Sequence, residues 1–216
     1  YGGAEAGRDY NTVDMSERTL REIYLPPYKA AIDAGAWTLM SSFNEIGGVP
    51  SSGSRWLMTD LLRNEWGFKG LIVSDYTAVW ELIKHRIAAD SVEAGIAGLS
   101  AGVEIDMVSR IYVDKLAAAV KDGRLDIDIV DEAVRRVLRV KFAYNLFDDP
   151  YRNARPEMEK KVLLSKEHRA VALEMARKSV VLLKNEKNLL PLPKSGSTIA
   201  LIGPLAGMEN RRDLVG

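Results

Sequence analysis

The chain has 216 residues, of which 47% are hydrophobic and 28% charged, so it can bury a sizeable core in one or two globular domains. Thirty basic residues balance thirty acidic ones, and a net charge of zero gives no electrostatic basis for binding nucleic acid or an anionic membrane. The sequence has no cysteine and only two distant histidines, His85 and His168, which excludes disulfides and argues against a zinc site. It also has no apolar run of about 18 residues, so we expect no membrane insertion.

The first 14 residues are predicted to form a loop, since they contain three glycines and no hydrophobic period. Arg8 is the only cation of this loop. From the residues alone, a solvated arginine is the simpler interpretation, because exposed arginines are common.

A helix is predicted to begin at Ser16, whose hydroxyl can cap it, with Glu17 in the first turn. The pair Pro26 and Pro27 must break or restart this helix, since each proline lacks an amide donor. Residues 37–43 then form a predicted buried strand that ends in Ser41, Ser42 and Phe43.

Residues 55–65 are predicted to be helical from the spacing of Leu57, Leu61 and Leu62, with Gly67 closing the helix. Three branched or aliphatic residues follow at 71–73 without polar alternation, which indicates a strand buried on both faces. Asp75 comes where this strand ends. In α/β folds, that edge of the sheet is where ligands bind.

The order of helix, glycine turn and buried strand occurs twice at a spacing of about thirty residues, which is typical of a parallel α/β fold. A further helix is predicted at 91–99 and a further strand at 102–107, where Glu104 and Asp106 share one face if extended. Either carboxyl could be an acid partner of Asp75. The simpler interpretation is that both anchor loops through hydrogen bonds.

Later segments predict more helices, a linker and a second domain. Helices are expected at 116–120 and 130–142, a polar stretch without apolar period at 148–165 is the predicted linker, and a long amphipathic helix is expected at 167–183. A buried strand is predicted at 198–204, where Gly203 and Pro204 end it.

Asp75 has two interpretations from the residues alone. Ser74 or Asp75 can cap the helix that follows, since both types are preferred N-cap residues, or Asp75 can be catalytic. The sequence around it, Gly-Phe-Lys-Gly-Leu-Ile-Val-Ser-Asp-Tyr at 67–76, preceded by Leu-Leu-Arg-Asn-Glu-Trp at 61–66, closely resembles the nucleophile segment of glycoside hydrolase family 3. The resemblance implies that Asp75 attacks the anomeric carbon of the sugar.

The same resemblance implies substrate-binding roles for Arg8, Met40, Phe43 and Tyr76. Arg8 lies in Gly-Arg-Asp-Tyr-Asn-Thr-Val-Asp at 7–14, which matches a family segment whose arginine contacts sugar hydroxyls. Phe43 stands where the family usually has a tyrosine or another aromatic residue at the sugar pocket; a core phenylalanine is an equally simple interpretation.

The resemblance covers nearly the whole chain and implies an α/β fold with two domains. Residues 1–147 would be the C-terminal part of a (β/α)8 TIM-type barrel, 148–165 a linker, and 166–216 the start of an α/β sandwich domain. The segment Ser-Val-Val-Leu-Leu-Lys-Asn at 179–185 matches the family's opening of that second domain.

The function implied is that of a retaining β-glucosidase that cleaves terminal β-D-glucosyl residues through a covalent glycosyl-aspartate, without metal or organic cofactor. The expected substrate is a small β-glucoside or oligosaccharide, and the location is periplasmic or extracellular. The family's acid/base glutamate would lie beyond Gly216. Residues 1–216 alone are therefore expected to be poorly folded and nearly inactive.

Two alternatives remain. A family branch of β-N-acetylhexosaminidases uses a histidine as proton donor after the fifth barrel strand, but residues 1–14 contain no histidine. The chain could also be a non-catalytic carbohydrate-binding or structural α/β module in which Asp75 only caps a helix.

Overall fold

The structure is a computed structural model that describes residues 3–8, 10, 12–200 and 202–203. The chain divides into two compact units, residues 1–154 and 155–216. The division falls inside the segment predicted to be a linker.

The first unit combines helices with a short parallel sheet. Its α-helices are Glu17–Thr19 (α1), Pro26–Asp33 (α2), Ala78–Glu81 (α3), Ser91–Ala101 (α4), Ile111–Lys121 (α5) and Ile127–Ala143 (α6). Its π-helical stretches are Leu20–Tyr24 and Trp56–Glu65, and its 3-10 turns are Glu5–Gly7 and Ser51–Gly53. Its strands are Thr38–Ser41 (β1), Glu45–Ile46 (β2), Val49–Pro50 (β3) and Leu71–Ser74 (β4).

The predicted ends of the early helices are confirmed. The Ser16 hydroxyl accepts a hydrogen bond from the Thr19 N–H at 3.1 Å, and a new helix begins at Pro26. Gly67, with φ of +70°, ends the stretch Trp56–Glu65, and its N–H donates to the Arg63 carbonyl.

The parallel sheet places the ends of β1 and β4 at one edge. The two strands pair in register from Thr38 with Leu71 to Ser41 with Ser74. A single parallel bridge between Val73 and Ile105 adds the segment after α4 on the other side of β4. The predicted strand at 102–107 is therefore wrong in extent, since only one bridge forms there.

Burial distinguishes the two strands. In β4, Leu71 and Ile72 are buried as predicted, and Ile72 packs with Leu61 and Val103 in the main core. β1 is shorter than predicted and only partly buried, with Met40 53% exposed. The reason is that, among the described residues, β1 has a neighbouring strand on one side only.

The antiparallel pair of β2 and β3 joins the first loop to the sheet's edge. Ile46 pairs with Val49 in this hairpin and forms a parallel bridge with Val13, which is fully buried. The Val13 N–H donates to the Glu45 carbonyl at 3.0 Å. The chain that contains Arg8 is thereby fixed against β2 shortly after the arginine.

The second unit is helical in the part that the structure describes, with helices Pro156–Val162 (α7) and Lys166–Ser179 (α8) and a 3-10 turn Glu186–Asn188. α7 lies within the predicted linker, and α8 ends four residues earlier than predicted. Residues 198–200 and 202–203 form no strand, so the strand expected at 198–204 is wrong there; a strand needs a neighbour for its backbone hydrogen bonds, and the described residues of this unit provide none. No helix in the described ranges is long and apolar enough to cross a bilayer.

Candidate active site

Asp75 lies directly after β4, at the carboxyl end of the parallel strands. Continuing the register places Ser42, the residue after β1, and Met107 of the neighbouring segment at its level. The Asp75 side chain is half-buried, so it is positioned by the sheet and still reaches solvent. This edge of the sheet is where parallel α/β folds place their chemistry.

The Asp75 carboxylate is held by one bond. Its Oδ1 accepts a hydrogen bond from the N–H of Tyr76 at 2.6 Å. Its Oδ2 accepts none from the described residues. One oxygen is therefore fixed and the other is available to attack an electrophile.

Asp75 does not cap the following helix. The residue at the N-cap of α3 is Thr77, whose side chain makes no capping bond. The Ala78 N–H, the first amide of α3, donates to the Asp75 backbone carbonyl at 3.1 Å and not to the Asp75 carboxylate. The Ser74 hydroxyl instead donates to the Asp75 carbonyl at 2.9 Å and accepts from the Met107 N–H at 2.8 Å. The interpretation of Ser74 or Asp75 as a simple helix cap is wrong, because both side chains bond within the loop at the strand ends.

Glu104 is a structural anion and lies towards the opposite ends of the strands. Its side chain is 1% exposed and forms ion pairs with Arg63 at 2.6 Å and Arg136 at 2.8 Å. Its second oxygen accepts the Ile72 N–H at 2.7 Å. Ile72 lies three residues before Asp75, about 10 Å along a strand, so the bonds of Glu104 lie away from Asp75.

Arg63 adds further bonds to the buried group that it forms with Glu104 and Arg136. Its guanidinium also donates to the carbonyls of Gly70 at 3.0 Å and Gly102 at 3.3 Å, the residues that precede the two strand segments. Burial lowers the pKa of Arg63, while the Glu104 charge opposes this effect. One buried ion pair thus fixes the starts of both segments.

Asp106 anchors a helix, as the simpler interpretation predicted. Its carboxylate accepts hydrogen bonds from the N–H groups of Ile111, at 2.8 Å, and Tyr112, at the start of α5, and from the Ser109 hydroxyl. The Tyr112 hydroxyl donates to the Val103 carbonyl, and its burial, reinforced by the charges of Asp106 and Glu104, raises its pKa. Neither acidic residue of 102–107 is available as a proton donor.

The predicted sugar-binding residues Phe43, Arg8 and Tyr76 differ in their exposure and in their contacts. Phe43 follows β1 and stacks on Tyr10, with ring centroids 4.2 Å apart. Arg8, two residues before Tyr10, is exposed, and its guanidinium forms no ion pair with the described residues. Tyr76, next to Asp75, is 59% exposed. Phe43 thus contacts the loop that contains Arg8 through Tyr10, and Tyr76 lies beside Asp75.

Met40 lies deeper than the other predicted residues. It pairs with Val73, so by strand alternation it shares the sheet face of Asp75 but lies at the level of Val73, two residues before Asp75. It also lines an apolar cavity of about 270 Å³ with helix residues such as Leu25 and Leu62, and none of Asp75, Phe43 or Tyr76 lines that cavity.

Three residues near this edge were missed from the sequence. Tyr10 was part of the matched segment but was given no role, although it is the stacking partner of Phe43. Glu45 and His85 form a pair with Nδ1 and Oε2 3.3 Å apart, while the Thr12 hydroxyl donates to the other Glu45 oxygen at 2.8 Å. These contacts join residues 33 and 40 positions apart, so no local pattern could have indicated them.

Comparison with known proteins identifies the first unit. Residues 1–140 match the model of the glycosyl hydrolase family 3 N terminal domain. The chain is 47% identical to a periplasmic beta-glucosidase of Salmonella typhimurium, over its full length and 28% of that protein. It is 40% identical to a beta-xylosidase of Formosa agariphila, over 91% of this chain and 28% of that protein.

Solved structures show the same relationship. A beta-glucosidase from Listeria innocua superposes with a TM-score of 0.78 at 43% identity, covering 90% of this chain and 27% of that one. The same enzyme in complex with glucose gives a TM-score of 0.76, covering 89% and 26%. The chain thus spans about a quarter of the length of these relatives, and the predicted α/β fold of the TIM-barrel type is confirmed. The chain belongs to glycoside hydrolase family 3.

Proposed function

We propose that the protein carrying this chain is a retaining β-glycosidase that acts on terminal β-D-glucosyl residues, with Asp75 as its nucleophile. The observation that carries the proposal is the Asp75 carboxylate at the carboxyl end of β4, with one oxygen bonded to the Tyr76 N–H and the other without a bond from the described residues. Membership of family 3 and the names of the relatives support the reaction class.

The proposed reaction has two displacements. A carboxylate oxygen of Asp75 attacks the anomeric carbon, the glycosidic C–O bond breaks, and an acid donates a proton to the leaving oxygen. Water then attacks the glycosyl-aspartate, the conjugate base takes a proton from that water, and Asp75 leaves as a carboxylate. Both steps use carboxyl groups and water, so the proposed mechanism requires no metal or organic cofactor.

The proton donor is proposed to be a glutamate beyond Gly216, as in the family resemblance. Glu104 and Asp106, the two carboxyls considered as acid partners of Asp75, are both bonded structurally. Residues 1–216 alone, without that glutamate, are therefore expected to turn over substrate very slowly.

Sugar recognition is proposed to involve Arg8, Phe43 and Tyr76 at the strand ends, with Met40 as an apolar contact deeper on the same face. A guanidinium offers fixed donors to neighbouring hydroxyls, and aromatic faces pack against the apolar faces of sugars. A glucoside is preferred over a xyloside here because identity to the beta-glucosidase exceeds that to the beta-xylosidase. The name of the Salmonella relative supports a periplasmic or extracellular location.

A mechanism-based label tests the nucleophile. A 2-deoxy-2-fluoro-β-glucoside with a good leaving group should inactivate the full-length protein and add one glycosyl group to the peptide that contains Asp75, as measured by mass spectrometry. The matched control is Asp75→Asn, which should remain unlabelled. A label on another peptide would refute the assignment, and comparison with the corresponding xyloside reports the substrate class.

A further inference from the structure

The Glu45 side chain connects three segments at the carboxyl ends of the strands. Its Oε1 accepts from the Thr12 hydroxyl at 2.8 Å, and its Oε2 lies 3.3 Å from His85 Nδ1. The side chains of Glu45 and His85 are only 22% and 19% exposed. A carboxylate can only accept, so His85 Nδ1 carries the proton in this pair.

Each connected segment carries one residue of the proposed site. Thr12 follows Arg8 by four residues, and Glu45 follows Phe43 by two. His85 lies on the turn after α3, the helix that begins three residues after Asp75. That turn is bonded back towards the nucleophile, since the His85 N–H donates to the Glu81 carbonyl and the Glu81 N–H donates to the Thr77 carbonyl.

The backbone joins the Arg8 loop to β2 at Val13, and the Thr12 hydroxyl adds a side-chain bond to Glu45 one residue closer to Arg8. The other described backbone bonds of this loop are largely internal: the Glu5 N–H donates to the Thr12 carbonyl, and the Arg8 N–H donates to the Glu5 carbonyl. The Tyr10 ring stacks on Phe43. Because the hydrogen bond from Thr12 links this loop to Glu45, the carboxylate is in a position to set where Arg8 stands relative to Asp75.

We propose that Glu45 and His85 are a positioning pair, which holds the Arg8 loop against the segment that follows Asp75 and acts on the sugar only through Arg8. This inference rests on the proposed glycosidase function. We assign neither residue a catalytic role, because the Glu45 oxygens bond Thr12 and His85, and His85 Nδ1 bonds Glu45. Losing the pair removes the side-chain bond next to Arg8 but keeps the backbone bonds at Val13, so the position of Arg8 is less well defined while Asp75 remains bonded to Tyr76.

A double-mutant cycle in the full-length protein tests the proposal. Glu45→Ala should lower kcat/KM for an aryl β-glucoside by about tenfold, mainly through a higher KM. In an Arg8→Ala background, Glu45→Ala should have almost no further effect, because its action passes through Arg8. Reductions that multiply in the double variant, or an unchanged kcat/KM for Glu45→Ala, would overturn the proposal.

Conservative variants separate positioning from folding. His85→Asn keeps a donor near the position of Nδ1 and should remain within about threefold of the wild type, whereas His85→Ala should match Glu45→Ala. The control Glu22→Ala removes an exposed pair with Arg18, 60% and 82% exposed, and should change nothing. Equal losses for His85→Asn and His85→Ala would refute the pair.

Failure of the proposed glycosidase function would give a different experimental result from failure of the positioning role alone. If the wild-type protein neither hydrolyses β-glycosides nor is labelled at Asp75, the proposed function is wrong and the positioning role falls with it. If the wild type is active and labelled but the cycle is additive, only the positioning role is wrong.

Discussion

Two carboxylates at opposite ends of the same short sheet have opposite environments. Glu104, towards the start of the strand segments, is 1% exposed and is bonded to two arginines and a backbone N–H. Asp75, at the end of β4, is half-buried and receives one bond from the N–H of its neighbour. A buried carboxylate whose oxygens are all bonded serves the structure, whereas Asp75 is partly exposed and has an oxygen that accepts no bond from the described residues, which is what a carboxylate needs in order to react.

The largest effect expected from this comparison is on turnover. Asp75→Ala should reduce kcat by about 10⁴-fold or more, because the covalent route is lost. Its thermal melting should stay close to that of the wild type, since only one hydrogen bond to the Tyr76 N–H disappears. The measurement is an aryl β-glucoside assay together with a thermal melt of the full-length protein. Retained turnover would show that Asp75 is not the nucleophile and that its exposure does not mark a catalytic role.

The second largest effect is on stability at the other end of the sheet. Glu104→Ala leaves Arg63 and Arg136 as neighbouring cations, one of them deeply buried, and should cost about 3–5 kcal/mol of unfolding free energy. Glu104→Gln keeps an acceptor for the Ile72 N–H and should lose less. Thermal and urea unfolding of the full-length protein measure both. An unaltered melting curve with abolished turnover would instead make Glu104 the catalytic acid.

The sequence predicted one of these environments well. Asp75 was assigned to a strand end because the aliphatic run at 71–73 and the adjoining motif are local signals. The bonding of Glu104 was foreseen only as a general anchoring role, because its arginine partners lie 41 and 32 residues away. Charges at such separations come together only when α6 and Trp56–Glu65 pack on the sheet.

The exposure of β1 also could not be predicted from its own residues. An apolar run indicates that a strand is suited to burial, but the neighbours that bury it lie elsewhere in the chain. β4 has β1 on one side and the Ile105 bridge on the other, whereas β1 has β4 alone among the described strands that run parallel to it. The pair of Glu45 and His85 could not be predicted for the same reason, since the two residues lie 40 positions apart in the sequence.

A smaller effect is expected at Arg8. Its exposed guanidinium contributes little to the fold, so Arg8→Ala should leave the melting temperature unchanged. Loss of its donors to the sugar should lower kcat/KM by about tenfold or more, roughly 1.4 kcal/mol. Arg18→Ala, which removes another exposed arginine outside the site, is the matched control. An unchanged kcat/KM would return Arg8 to the interpretation of a solvated loop residue.

The smallest effect is expected where an ion pair has good geometry but no burial. Arg21 donates to both oxygens of Glu65, at 2.6 and 2.9 Å, yet the two side chains are 34% and 49% exposed. The hydrogen bond from Arg21 lowers the pKa of Glu65, so whatever the pair contributes is present at neutral pH and is lost as the pH falls through that lowered pKa. Solvent and salt screen this pair, in contrast to the one between Arg63 and Glu104. Glu65→Gln should therefore change the melting temperature far less than Glu104→Gln. The small change that Glu65→Gln causes relative to the wild type should vanish at high salt. Equal losses from the two substitutions would show that burial does not separate these two pairs, and would remove the physical basis for distinguishing Glu104 from Asp75.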